Sequence, residues 1–178
     1  MKRMLAFLGA AVLLFICIPQ AKAATINAAS CSQVDVQTAI DSARSGDTVQ
    51  VPAGECVWST PSYSILRDGY LPAVGINKSI ILRGADIDLT NIIDATPNSY
   101  DKDLIRVNGV NGFRITGFTF KNLNNTAIQV HASKNWRIDN CRFADGDAGV
   151  VTSGDSPYGV VDSCIFDGPD RAYNRQQQ

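Results

Sequence analysis

Apolar residues fall into fixed slots along the second half of the chain. FRITGFTF (Phe113–Phe120), WRIDNCRF (Trp136–Phe143) and GVVDSCIF (Gly159–Phe166) recur at one even interval. In each copy an aliphatic residue (Ile115, Ile138, Val161) is followed three positions later by Phe118, Cys141 or Cys164. Two positions further on comes Phe120, Phe143 or Phe166. A weaker upstream copy consists of Leu82, Ala85 and Ile87. A fixed period in the twenties marks a solenoid, in which each repeat buries its apolar face against its neighbours. Leu104–Val107, Ala127–Val130 and Gly149–Thr152 form a second family of short strands, one per repeat. Asn, Gly, Asp and Ser separate the strands, in turns too short for crossover helices. The pattern predicts an all-β fold, a right-handed parallel β-helix of about five coils. The polar stretch within Ile92–Asp103 accounts for the longer interval from Leu82 to Ile115.

One helix is predicted, over Ser32–Ala43. Ser32 is its N-cap, Val34, Ala39, Ile40 and Ala43 form its apolar stripe, and Ser45-Gly46-Asp47 ends it. Thr48–Val51 then reads as a strand with Val49 and Val51 inward, stopped by Pro52. A helix ahead of the first strand shields core and strand edges from water, so it is expected to be an N-terminal cap.

Lys2 and Arg3, the apolar run Met4–Ile18 and the A-x-A site at Ala21–Ala23 have the layout of a secretory signal peptide over residues 1–23. No other segment approaches the ~20 apolar residues of a membrane span. The expectation is an exported protein, extracellular or periplasmic, whose residues 24–178 form one β-helix domain and which has no membrane contact after cleavage. The final Asn174–Gln178 supply no closing strand or helix. That predicts either the N-terminal part of a longer β-helix or a second chain covering the end.

The formal net charge is −1 with acids and bases interspersed, which gives no footprint for nucleic acid. Four cysteines follow the leader (Cys31, Cys56, Cys141, Cys164) and allow three pairings. Cys31 and Cys56 flank the first helix-and-strand unit and are the expected disulfide. Cys141 and Cys164 share the slot of Phe118, which predicts stacked, inward-facing free thiols. No histidine stands beside them to support zinc.

The period also creates acidic ladders. Asp139 and Asp162 are equivalent in successive coils, as are Asp147 and Asp170, with Asp145 close by. Carboxylates roughly 5 Å apart can share Ca²⁺; aspartates at turns equally well bond local backbone. Lys134 and Arg137, with Arg142 nearby, are the basic candidates, although arginine resists deprotonation. His131 is the only histidine. Asn122, Asn124, Asn125, Asn135 and Asn140 read as turn and ladder residues. Trp136, Tyr158 and Tyr173 can stack on sugar rings if they project from one face, and Trp136 can equally be core.

VDVQTAIDSARSGDTVQVPAGEC (Val34–Cys56) and AIQVHASKNWRIDNCRF (Ala127–Phe143) resemble the opening and a middle coil of the pectate-lyase-like superfamily. The resemblance implies a right-handed β-helix that handles polysaccharide. Its lyase members hold acidic sugars through calcium-bridged carboxylates while Lys or Arg removes the C5 proton. Three departures stand out: Asn140 replaces the His that follows Trp-Ile-Asp, no Arg-x-Pro-x-x-Arg stretch exists, and the triple-aspartate pattern of the related polygalacturonases is missing. The expectation is a secreted protein that acts on or binds polysaccharide, a lyase of acidic glycans being the enzymatic form. The alternative is a non-catalytic surface or spike-like β-helix, glycan-binding or a stalk.

Overall fold

The computed structural model describes residues 22–59, 71–97 and 103–175, the stretch from 169 onward by backbone alone. The apolar run Met4–Ile18, residues 60–70 and the centre of the Ile92–Asp103 stretch lie outside the described residues. Among the described residues no helix is long and apolar enough to cross a membrane.

The chain opens with β1 (Thr25–Asn27) and α1 (Gln33–Ser42), then winds through five rounds of parallel strands. The first round holds β2 (Thr48–Gln50), β3 (Gly54–Trp58) and β4 (Val74–Ile76); the second holds β5 (Ile81–Arg83), β6 (Thr90–Asp94) and β7 (Ile105–Asn108). The third is β8 (Asn111–Thr116) and β9 (Thr119–His131), the fourth β10 (Lys134–Asp139) and β11 (Arg142–Ser153), the fifth β12 (Val160–Asp162) and β13 (Ile165–Arg175). One sheet runs β1-β2-β5-β8-β10-β12. The other runs β3-β6-β9-β11-β13, and β4 and β7 join it alongside the second half of β9. Every pairing is parallel.

Register explains the uneven period. Thr48, Ile81, Arg114, Arg137 and Val160 stand in one column. The first two steps of that column are long: Gln50 and Arg83, bonded across the first, are 33 residues apart, as are Ser79 and Gly112 across the second. The last two are short: Val110 and Ser133 are 23 residues apart, as are Ser133 and Ser156. The second round is lengthened in two places. The path from Leu82 to Ile92 is twice that from Ile115 to Phe120, and the path from Ile92 to Ile105 likewise exceeds that from Phe120 to Ile128. This corrects the upstream repeat: Leu82 pairs with Ile115 as expected, but the slot below Phe120 belongs to Ile92. Ala85 is exposed and Ile87 only half-buried, because 84–89 bulge out as a corner with Asp88 left-handed at φ 65°.

The interior is built from the predicted slots. Phe120, Phe143 and Phe166 stack at 5.5 and 5.0 Å between ring centres, tilted by 15°. Leu82, Ile115 and Ile138 are fully buried on the opposite sheet. In the third and fourth rounds the Phe120 and Phe143 ends of the first family run on into the second family as β9 and β11, of 13 and 12 residues, where shorter separate strands were expected. A bulge absorbs one additional residue of β9 opposite Asp147, so His131 and Ser153, paired beyond it, are only 22 residues apart.

The helix forms where predicted, with a different inward stripe. The Ser32 hydroxyl accepts from the Asp35 amide at 3.3 Å, the N-cap bond. Val36, Ala39, Ile40 and Ala43 are buried, whereas Val34 is 70% exposed. Val34 stands two residues from Val36, roughly 200° around the helix, and so faces away from that stripe. The α1 segment occupies the place of the second sheet in the step from Thr25 to Thr48. Lys78 Nζ donates to the carbonyls of Ile40, Asp41 and Ala43 at 3.0–3.1 Å, satisfying the helix C-terminus. A disulfide joins Cys31 to Cys56, with Cα atoms 5.8 Å apart, and ties the start of α1 to β3.

Candidate functional site

The strands of the first sheet point alternate side chains outward, so the outer side carries stacked rows one strand spacing apart. One row is Arg114–Arg137–Val160, and the next is Arg83–Thr116–Asp139–Asp162. Arg114 reaches diagonally to Asp139 of the next round, donating through Nε at 2.7 Å and Nη2 at 2.6 Å. Arg137 repeats the gesture to Asp162 at 2.9 and 2.6 Å. Both pairs are 25 residues apart, one period plus the offset between the two rows. Arg137 Nε is also 3.8 Å from Asp139. The space between the two carboxylates, expected as a calcium position, thus contains the Arg137 guanidinium.

These pairs set the electrostatics. The hydrogen bond to Asp139 raises the Arg114 pKa above its ordinary value, and the bond to Asp162 does the same for Arg137. Asp162 is correspondingly lowered by Arg137. A guanidinium bound in this way gives up its proton even less readily than a free one, so the neutral form that a general base needs is scarcer.

The remaining candidates are dispersed. Lys134 Nζ lies 3.8 Å from Asp155 on an exposed edge. Arg142 donates to Asp88 at 2.8 Å on the other sheet. Asp145 is exposed in a left-handed corner at φ 56°, equivalent to Asn122 one round earlier and Gly168 one round later. Asp147 is half-buried in β11. The backbone of Asp170 runs opposite it, while the side chains of Asp170 and Tyr173 lie outside the described residues. Among the described residues no three His, Cys, Asp or Glu side chains converge on a metal position. His131 Nδ1 is 2.9 Å from Ser153 Oγ, which also accepts from Gln129 Nε2 at 2.8 Å. Ser153 is buried, so this group ties neighbouring rounds together beneath the surface.

The three aromatic candidates part company. Trp136 is core, stacked on Phe113 at 6.2 Å and pressed against Gly159, where an added Cβ would stand 1.9 Å from the indole. With Gly159, Val161 and Phe166 it lines a cavity of about 340 Å³ in the last round. Tyr158 does the opposite. It is 79% exposed and sits at φ 58°, in the corner column that holds Gly112 and Asn135 in the two rounds before. A bulky side chain in the left-handed region is strained, and such strain persists where the surrounding structure imposes it. Next to it an amide ladder runs along the edge, Asn135 Nδ2 donating to Asn111 Oδ1 at 2.8 Å, with the Asn135 amide reaching the Pro157 carbonyl at 3.3 Å. Sequence reasoning missed Arg114 and the diagonal ladder. The regular Arg–Asp spacing was available as a signal, but it emerges only when the two rows are placed side by side.

Residues 78–173 match the family model described as the right-handed beta helix region. The chain belongs to this family. No curated protein and no solved structure matches it. The right-handed β-helix family fits a chain whose strands all pair in parallel through stacked, equivalent slots.

Proposed function

We propose that this β-helix protein is an exported, polysaccharide-binding solenoid that holds its glycan along the outer side of β5-β8-β10-β12. Tyr158 carries the reading: a strained corner keeps an aromatic ring in solvent where earlier rounds place Gly112 and Asn135. A ring offered to water beside amides and paired charges suits the apolar face and hydroxyls of a sugar. Arg83, exposed and with no ion pair among the described residues, extends the surface toward the N-terminal rounds. The α1 helix closes the N-terminal end of the solenoid, its apolar stripe lying over the first round. The layout of residues 1–23, a basic start, an apolar run and an A-x-A site, supports export. Cleavage after Ala23 leaves Ala24 first, and its nitrogen bonds Asp47 Oδ1 at 2.8 Å.

Binding is favoured over β-elimination because Arg114 and Arg137, the two arginines beside the acidic row, are held on carboxylates that raise their pKa. Calcium is placed near Asp145, whose exposed carboxylate stands apart from both arginine pairs.

The test is affinity electrophoresis on uronate polymers and neutral glucans, with calcium and with chelator, reading unsaturated uronate product in the same samples. Retardation without product, weakened about fivefold in Tyr158→Ala, is expected. Calcium-dependent product makes the protein a pectate-lyase-like enzyme. Unaltered migration on every glycan removes the binding reading and leaves a rigid stalk.

A further inference from the structure

Cys141 and Cys164 occupy one inward slot in consecutive rounds. Both follow left-handed corner residues, Asn140 at φ 50° and Ser163 at φ 53°, so both thiols leave the backbone in the same direction. The Ile165 amide donates to the Cys141 carbonyl at 2.9 Å, which holds the two strands in register at this point. Adjacent parallel strands lie roughly 4.8 Å apart. That separation falls inside the Cα–Cα window of about 4.4–6.8 Å that a disulfide tolerates. Cys141 is fully buried and Cys164 half-buried, so each thiol has the other as its reactive neighbour and only Cys164 opens toward solvent.

We infer that Cys141 and Cys164 are an oxidisable pair that closes into a second disulfide, stapling the fourth round to the fifth. The oxidant is an external disulfide, either glutathione disulfide or a protein dithiol oxidase. The Cys164 thiolate attacks one sulfur of that disulfide, breaking its S–S bond and releasing one thiolate, which takes up a proton. The Cys141 thiolate then attacks Cys164 Sγ and expels the second thiol. The two cysteines lose two electrons and two protons, and the oxidant gains both. Cys164 is the better first nucleophile: its thiol is only half-buried, and its interaction with Cys141 lowers its pKa, whereas that interaction and burial push Cys141 well up.

The pair differs in kind from Cys31–Cys56. That bridge links α1 to β3 across a turn of chain. A Cys141–Cys164 bridge would cross-link stacked rounds beside the 340 Å³ cavity, where Val160 and Ile165 are already exposed. Its formation would make the last round resist local opening.

Incubation of the folded protein with glutathione disulfide, followed by alkylation in denaturant and mass spectrometry, tests this. Trypsin separates all four cysteines, Cys141 falling in Ile138–Arg142 and Cys164 in Phe143–Arg171. The expected result is a mass loss of about 2 Da, one per thiol hydrogen, no alkylated cysteine, and a linked pair of those two peptides. In Cys141→Ser the resolving thiol is gone, and a glutathione adduct should persist on Cys164. Two alkylatable thiols after treatment, or a lasting Cys164 adduct in the wild-type chain with Cys141 free, would overturn the inference.

Discussion

At the scale of single residues, left-handed corners organise this molecule. Gly117, Asn140 and Ser163 form one column with positive φ, and Gly112, Asn135 and Tyr158 another. Glycine and asparagine bear that conformation at little cost; tyrosine does not. Asn140, a departure from the resembling lyases in sequence, is thus explained as a corner residue that also donates to Asp86 at 2.8 Å. Gly159 has another role. Its φ is ordinary, so alanine there should stabilise by stiffening the unfolded chain, about 0.4–1 kcal/mol. The added Cβ would stand 1.9 Å from Trp136, however, and overpacking of that kind costs about 1–3 kcal/mol. Steric conflict wins. Gly159→Ala should lower the urea midpoint, and an unchanged or raised midpoint would show that Trp136 moves freely.

Among the elements, α1 shows how local and distant signals combine. Ser32 and the Ala43 C-cap are written locally, but the helix C-terminus depends on Lys78, far along the chain on the link between β4 and β5. An ammonium on three terminal carbonyls is favoured by the helix dipole and by charge-assisted bonds. Lys78→Met keeps the aliphatic stem and removes those donors. It should cost about 1–2 kcal/mol, measured by chemical denaturation at low salt, with the cost shrinking as salt screens the dipole term. The choice of Val36 over Val34 as the inward residue was legible: Val36, Ala39, Ile40 and Ala43 keep the i, i+3, i+4, i+7 spacing of one helix face, and Val34 does not. The choice between Ile87 and Ile92 was not: each is an isoleucine after Leu82 at a credible spacing, and the corner at 84–89 decides between them.

For the molecule as a whole, neighbouring rounds are joined by carboxylates as well as by core. Asp47 accepts from the Ala24 nitrogen and the Arg44 amide at 2.8 Å, and those bonds lower its pKa. Asp86 is lowered by Asn140 and Asp162 by Arg137. A carboxylate lowered on folding stabilises above its unfolded value, about 3.9 for aspartate, and loses that contribution as pH falls through its folded value. The melting temperature should therefore hold steady for these groups from neutrality to about pH 5 and drop below about pH 4. Asp47→Asn should melt lower than wild type at neutral pH, with the difference closing in acid. A difference that stays constant down to about pH 3 would show that Asp47 acts by shape and not by charge.

The repeated slots, the α1 helix and the parallel stacking were all legible in the sequence. A constant period forces equivalent residues into columns, and columns of Phe and Ile have only one another to bury against. What tertiary structure alone decided was the partner of each polar side chain. Whether Asp139 faces Asp162 or an arginine depends on side chains reaching diagonally between rounds: the spacing puts each arginine within reach of the next round's aspartate, and only the folded rows show that it is taken. The same holds for the aromatic rings. Trp136 and Tyr158 look alike as candidates in the chain, and a corner of the backbone sends one inward onto Phe113 and the other out into water.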